Sequence, residues 1–237
     1  MSQADNWLPR HIGIIMDGNG RWAAQQGKPR SFGHRAGVNA LREIIKHCGD
    51  LGIEYVTVYA FSTENFKRSS DEVGTLMSLL VEFLKNDLET IIQNGVRINV
   101  IGDIDAFPAP VAAQIRRAMQ KSRECGRMML NIALAYGARA ELVRAVKSIA
   151  LDAAEGRLGQ DDINEQLISQ RLYTAGQPDP DLIIRTSGEL RLSNFLLYQA
   201  AYAELYFTPV FWPDFTPAEL DLALESYKKR SRRFGGV

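Results

Sequence analysis

Three short strings of this sequence combine residue types that can grip and activate an anionic substrate. The first is Asp17-Gly18-Asn19-Gly20-Arg21-Trp22, directly after an apolar run at 11–16. Two glycines permit a tight turn and let backbone N–H groups approach an anion closely, and Arg21 adds positive charge. Asp17, at the end of the run, is a hard oxygen donor of the kind Mg²⁺ takes. Taken alone, a DGNG string is as often an ordinary turn. It matches neither the Walker A loop nor the GxGxxG fingerprint, so nucleotide binding gains no support.

The second string is Ser62-Thr63-Glu64-Asn65-Phe66-Lys67-Arg68, dense in hydrogen-bonding groups. Capping of a helix starting at Ser69 or Ser70 accounts for its serines but not for Asn65 and Arg68. The third, Arg185-Thr186-Ser187-Gly188-Glu189-Leu190-Arg191-Leu192-Ser193-Asn194, sets two arginines and serines around a glycine. Guanidinium forks pair bidentately with phosphate oxygens, so a phosphate pocket is expected here. Surface salt bridging explains either arginine singly; three polar strand ends in register are harder to explain that way. His34, close to Arg30 and beside Arg35, is a further candidate. The acidic string at 161–165 reads as helix capping, and the basic run at 228–233 as a solvated tail.

The elements that must position these strings follow from hydrophobic patterning. Apolar runs at 11–16, 54–61, 96–101, 128–136, 181–185 and 205–210 read as strands. Amphipathic segments at 35–51, 71–94, 109–125, 140–154, 163–173, 194–203 and 217–232 read as helices. Their alternation predicts an α/β fold with a mostly parallel six-stranded sheet flanked by helices. In such sheets ligands bind beyond the carboxyl ends of the strands, where all three strings fall. The segment 73–92 has an apolar arc of roughly 220°, wider than the ~100° stripe of a surface helix. Composition favours plain burial of that arc; the sharper alternative is that it lines a cavity for a long apolar substrate.

At 237 residues and 46% hydrophobic, the chain can bury its own core, and a single domain over 1–237 is expected. The 28 basic and 28 acidic side chains cancel, which argues against a nucleic-acid binder. Cys48 and Cys125 stand far apart with no CxxC pair, so no zinc site is expected and a cytoplasmic location is the simplest reading. Residues 1–10 lack an apolar signal core, and no run reaches transmembrane length; peripheral membrane contact stays open.

Together the strings resemble the cis-prenyltransferases over nearly the whole chain. The resemblance rests on HIGIIMDGNGRWA at 11–23, GHRAG at 33–37, VTVYAFSTENFKR at 56–68, LNIALAYGAR at 130–139, DLIIRTSGELRLSNFLLYQAAYAELYF at 181–207 and FWPDF at 211–215. It implies a homodimeric, Mg²⁺-dependent enzyme with an apolar tunnel beside its sheet. Such an enzyme condenses isopentenyl diphosphate units onto farnesyl diphosphate, with cis geometry, to give undecaprenyl diphosphate, the lipid-carrier precursor of cell-wall polysaccharide. By position in the motifs, Asp17 and Glu204 would hold the metal. Gly18, Asn19, Gly20, Arg21 and Trp22, with Arg30, His34 and Arg68, would cradle the allylic diphosphate. Ser62, Thr63, Glu64, Asn65 and Phe66 form the second motif, and Arg185, Arg191 and Ser193 the isopentenyl site. Asn65 is the family's usual proton acceptor; a neutral amide is a very weak base, so positioning suits it better. Arg233-Phe234-Gly235 matches a terminal motif that reaches a partner's site. Phe66, Ala138 and Tyr198 depart from the commonest pattern, which has tryptophan, glycine and tryptophan there. The rival readings are a shorter-chain synthase, a non-catalytic partner subunit, and a binding module without turnover; the intact Asp17, Asn65, Arg185 and Arg191 weigh against the second.

Overall fold

A computed structural model describes residues 7–230; the motif at 233–235 lies outside them. Strands β1 (His11–Ile15), β2 (Tyr55–Ser62), β3 (Val96–Ile101), β4 (Met128–Tyr136), β5 (Leu182–Arg185) and β6 (Glu204–Phe207) form one sheet. Its order is β3-β4-β2-β1-β5-β6, and every pairing is parallel. The Ile/Val/Leu runs suit strands covered on both faces, and all five residues of β1 are buried.

Parallel neighbours require crossover connections, and helices supply them everywhere but between β5 and β6, which are joined by turns. The helices are α1 (Asn19–Gln25), α2 (Arg30–Leu51), α3 (Ser70–Asn86), α4 (Leu88–Gln93), α5 (Ala109–Lys121), α6 (Ala138–Ala154), α7 (Glu165–Arg171) and α8 (Pro217–Lys228). The larger core joins Ile12, Val58 and Ile132 of the sheet to Ile44 of α2, Leu84 of α3 and Ile115 of α5. The smaller one gathers Ile101, Tyr136 and Ile183 with Phe195 and Leu196.

Three differences from the sequence expectations have physical reasons. The expected helix at 71–94 is broken at Asp87, whose carboxylate takes Arg42 through two bonds of 2.8 Å. The expected helix at 194–203 is absent: the segment is turns, with positive φ at Asn194 (65°) and Leu196 (45°) and, just before it, at Ser193 (48°). Helical backbone has negative φ, and such residues cost about 1–3 kcal/mol each unless the surroundings hold them. In turn, the DGNG string does more than turn, because Asn19 opens the short α1. The acidic string behaves as expected, with Asn164 Oδ1 accepting the Leu167 N–H at 3.0 Å to cap α7.

The strand order fixes where a ligand can enter. From β1 the chain crosses to β2 on one side and returns later as β5 on the other. Connections therefore diverge at the carboxyl ends of β1 and β5, which opens a crevice there. Ile15 pairs with Arg185 in register, so Asp17 and Arg185 meet at that crevice.

Candidate active site

Asp17 and Arg185 form the centre of the site. Arg185 Nη2 donates to Asp17 Oδ2 at 3.0 Å, and Arg21 Nη2 lies 3.3 Å from Asp17 Oδ1. Burial pushes the Asp17 carboxyl up, but the Arg185 hydrogen bond, the charges of Arg185 and Arg21, and the Gly18 N–H together outweigh it. Its pKa is net lowered, so Asp17 is ionised at neutral pH. Its backbone is clamped as well: Thr186 Oγ1 donates to the Asp17 carbonyl at 2.7 Å, and so does the Trp212 N–H at 3.0 Å. The guanidinium of Arg185 is 4% exposed, donates to the Arg191 carbonyl and to Ser193 Oγ, and keeps a buried Nε with no partner among the described residues. A buried, unsatisfied cationic donor is costly without an anion to take it.

Backbone approach explains two of the glycines. Gly18 sits at φ 105°, and a Cβ there would meet Phe211 at 2.6 Å. A Cβ on Gly33 would lie 1.9 Å from the Asn19 carbonyl, so Gly33 lets α2 lie against the first turn of α1. That contact brings Arg30 over the Gly20 backbone, its guanidinium atoms 3.1–3.3 Å from where a Gly20 Cβ would stand.

A second group of cations is organised by Glu72, a residue with no part in the motif reading. Its Oε1 lies 2.7 Å from Arg68 Nη1 and 3.4 Å from both Arg30 Nε and His34 Nε2. Burial lowers the His34 pKa and Arg68 and Arg30 add to that, against the opposing pull of Glu72. His34 is therefore neutral at pH 7, a donor or acceptor rather than a charge. The spacing of Glu72 four residues after Arg68 was the only sequence signal for this link.

The second and third strings meet through Asn194. Its side-chain N–H donates to Glu64 at 3.2 Å, its Oδ1 accepts the Arg139 N–H at 2.9 Å, and its carbonyl accepts the Ala138 N–H at 2.8 Å. Ala138 is the first residue of α6 and has no positive φ, so alanine meets no backbone strain where glycine is commoner. Asn65 Oδ1 accepts the Ser62 N–H at 2.9 Å, capping a single 3₁₀ turn at Thr63–Lys67. Its amide oxygen is thus committed to the backbone, which argues further against Asn65 as a base.

These groups line the head of one cavity of about 740 Å³. Asp17, Gly18, Asn19, Gly20, Arg21, Arg30, His34, Ser62, Glu64, Asn65, Arg68, Arg185, Arg191 and Ser193 all border it. Its remaining walls are apolar: Val38 and Leu41 of α2, Leu76, Leu79 and Phe83 of α3, and Ile132 and Leu134 of β4. The wide apolar arc of α3 is therefore divided between core and cavity. Four expected site residues stand apart. Trp22 stacks on Phe32 at 5.6 Å and donates to Asp214 at 2.8 Å, so it buttresses α1. Thr63 lies against Gly137. Phe66 packs edge-on to Phe61 at 4.8 Å, behind the cavity wall. Glu204 opens β6 in register with Leu182, whereas Asp17 lies beyond the Ile15–Arg185 pair, so the two carboxylates are at opposite ends of the sheet. Glu204 is held there by Arg230 at 2.7 Å. Within this chain the two do not share a metal.

The sequence pattern of the undecaprenyl diphosphate synthase family of prenyltransferases matches residues 15–235. The chain belongs to this family. It is 52% identical over 230 residues to an isoprenyl transferase of Clostridium perfringens, covering 97% of this chain and 91% of the relative. It is 55% identical to an isoprenyl transferase of Heliobacterium mobile, covering 97% and 88%. Among solved structures it is similar to lavandulyl diphosphate synthase from Lavandula x intermedia in complex with dimethylallyl diphosphate, at TM-score 0.95, 40% identity and coverage of 98% and 100%. A probable undecaprenyl diphosphate synthase from Campylobacter jejuni superposes at TM-score 0.79, with 33% identity and coverage of 96% and 99%. As a prenyltransferase of isoprenoid biosynthesis, the chain works on diphosphate substrates, and the cationic head of its cavity suits them. No described helix is long and apolar enough to cross a membrane.

Proposed function

We propose that this prenyltransferase condenses successive isopentenyl diphosphates onto farnesyl diphosphate, each new double bond cis, to make undecaprenyl diphosphate for cell-wall polysaccharide synthesis. One observation carries the reading: an ionised Asp17 among arginines sits at the head of a 740 Å³ cavity whose depth is apolar. That polarity matches a ligand with a diphosphate head and a hydrocarbon tail.

Arg21, Arg30 and Arg68, with the backbone at Gly18–Gly20, take the allylic diphosphate; Arg185, Arg191 and Ser193 take that of isopentenyl diphosphate. The ionised Asp17 carboxylate at the cavity head would hold Mg²⁺ together with substrate phosphate oxygens, and the ion would supply charge that offsets the departing diphosphate. As the allylic C–O bond breaks, the arginines stabilise negative charge on the leaving oxygen. Holding the isopentenyl double bond against the allylic carbon lets its electrons form the new C–C bond. A diphosphate oxygen or a bound water then takes the proton, with Asn65 and His34 positioning substrate as neutral groups. Within one chain Glu204 stands at the other end of the sheet from this arrangement.

Two further assignments go with this reading. The enzyme is a homodimer, since α6 presents Val143, Val146 and Leu151 on one face, each more than half exposed. It is cytoplasmic, touching a membrane peripherally to release a product too apolar for water. A shorter-chain product is the second reading, favoured by the likeness to lavandulyl diphosphate synthase. Incubation with labelled isopentenyl diphosphate, farnesyl diphosphate and Mg²⁺, with chromatography of the product, separates the two. Label in a product of eleven isoprene units supports the proposal; label confined to short products favours the alternative.

A further inference from the structure

Among the described residues, a single hydrogen bond joins the second string, 62–68, to the third, 185–194: Asn194 Nδ2 donates to Glu64 Oε1 at 3.2 Å. The other end of the same amide is fixed too, since Asn194 Oδ1 accepts the Arg139 N–H at 2.9 Å. An N–H facing a carboxylate and an oxygen facing an N–H leave the amide one orientation. With its carbonyl taking the Ala138 N–H at 2.8 Å, Asn194 caps the first turn of α6 while its amide reaches across to the 3₁₀ turn at Thr63–Lys67. Asparagine suits this place, because it tolerates the left-handed φ of 65° better than most residues do. Gly137 makes room for the amide. Its φ of −162° is extended backbone open to any residue, so conformation does not call for glycine. A Cβ there would stand 2.7 Å from Asn194 Nδ2 and 2.9 Å from Thr63 Oγ1, too close for either to stay in place. Glu64 is ready to accept: burial pushes its carboxyl up, but its own backbone N–H, the Ser62 hydroxyl, the Asn194 amide and the Thr63 hydroxyl outweigh that and keep it ionised.

We propose that Asn194 is a positioning residue that fixes the spacing between the two diphosphate pockets. This rests on the assignment of those pockets proposed above. On one side of the bond, Ser193 precedes Asn194 and its Oγ accepts from Arg185 at 2.7 Å, in the isopentenyl pocket. On the other side, Glu64 precedes Asn65 on the turn that leads to Arg68, in the allylic pocket. The bond therefore ties the turn that grips one substrate to the turn that grips the other. Joining two substrates needs the reacting carbons held about 3–3.5 Å apart, and a misplacement of about 1 Å costs on the order of 10²-fold in rate. A tie between the pockets acts on that distance and leaves the arginines that grip each diphosphate in place. Its loss therefore falls on the rate of condensation and not on the binding of either substrate.

Asn194→Asp in the full chain isolates the tie. Aspartate also tolerates the left-handed backbone and keeps an oxygen for the Arg139 N–H, so the cap on α6 stays while a second carboxylate faces Glu64. Single-turnover condensation of labelled isopentenyl diphosphate onto farnesyl diphosphate, with Mg²⁺, reads the first bond formed before product release intervenes. The rate at saturation is expected to fall about 10–100-fold, with the half-saturating concentration of each diphosphate within about threefold of the unsubstituted chain and the melting temperature retained. Adding Glu64→Gln restores a donor and an acceptor with their roles exchanged, and is expected to recover most of the lost rate. An unchanged rate in folded Asn194→Asp overturns the proposal, and so does a loss confined to the binding of one diphosphate. A loss that Glu64→Gln does not reverse overturns the bond to Glu64 as its cause. If Asn194→Asp fails to fold, Gly137→Ala decides: its Cβ displaces the Asn194 amide and should lower the rate alike, and a rate equal to that of the unsubstituted chain overturns the tie. Failure of both to fold makes Asn194 a support of the fold alone and overturns it as well. Absence of label from any product of the unsubstituted chain instead defeats the functional reading, and this inference with it.

Discussion

Arg185 has two tasks at once: it holds Asp17 Oδ2 at 3.0 Å and braces the turn at Arg191 and Ser193. Arg191 has no comparable hold on Asp17 and pairs with Glu189. The two substitutions should therefore separate in steady-state kinetics. Arg191→Ala is expected to raise the KM for isopentenyl diphosphate roughly 10–100-fold, the loss of one charge-assisted hydrogen bond, with kcat nearly kept. Arg185→Ala should raise the same KM and lower kcat too, since Asp17 loses its orienting partner. An effect confined to the allylic substrate would reverse the assignment of the two pockets. Away from the site, His11 is buried between the Pro178 carbonyl and Thr57, each 2.7 Å from a ring nitrogen. Burial lowers its pKa to about 4, against the weaker pull of the Pro178 carbonyl and Asp181. The unfolded chain protonates near 6.5, so the neutral ring's contribution is complete above that pH and is lost as pH falls towards 4. The loss is on the order of 3 kcal/mol. Urea unfolding across this window should show the slope, and His11→Gln should flatten it. Asp17, Arg21, Arg68 and Arg185 were legible because charged residues that follow apolar runs have few structural reasons to be there. Glu72 was not, since a glutamate in the first turn of a helix is ordinary capping chemistry.

At the scale of elements, α3 carries the sharpest expectation. Leu79 borders the cavity, while Val81 lies on the other flank of the apolar arc and does not. Leu79→Trp should block the cavity and shorten the product by one or more isoprene units. Val81→Trp should leave product length unchanged, at a stability cost of no more than about 1–3 kcal/mol from overpacking. Equal product lengths from both variants would place the growing chain elsewhere. The sheet was readable from sequence because strands buried on both faces give continuous apolar runs, and five of the six lie within two residues of their expected ends. The segment 194–203 misled because its apolar spacing is helical while its backbone is not. Leu196 at φ 45° and Asn194 at φ 65° fold it back so that Asn194 reaches Glu64 and the start of α6. No propensity scale signals a leucine in that conformation; tertiary contacts impose it.

For the whole molecule, two surfaces have opposite characters. The carboxyl edge of the sheet collects cations and Asp17 around the crevice between β1 and β5, while α6 turns apolar side chains outward. If that face joins two copies, Val146→Asp should convert a dimer into a monomer in sedimentation velocity. A wild-type chain that sediments as a monomer would remove the homodimer from the account. Charge balance across the sequence concealed the cationic crevice, since the chain's 28 acidic side chains, most of them elsewhere, cancel its 28 basic ones. The position of Glu204 was also beyond the motif, because the motif fixes its neighbours in sequence and only strand register fixes which end of the sheet it occupies.

The carboxylate of Asp17, held between Arg185 and Arg21, is where the reaction is driven. The most direct test of that role is the transfer of label from isopentenyl diphosphate into chain-extended product by Asp17→Ala, beside the unsubstituted chain, with a thermal melt of each. Turnover is expected to fall by about 10²–10³-fold or more, with the melting temperature of the fold retained. Turnover within tenfold of the unsubstituted chain would contradict it.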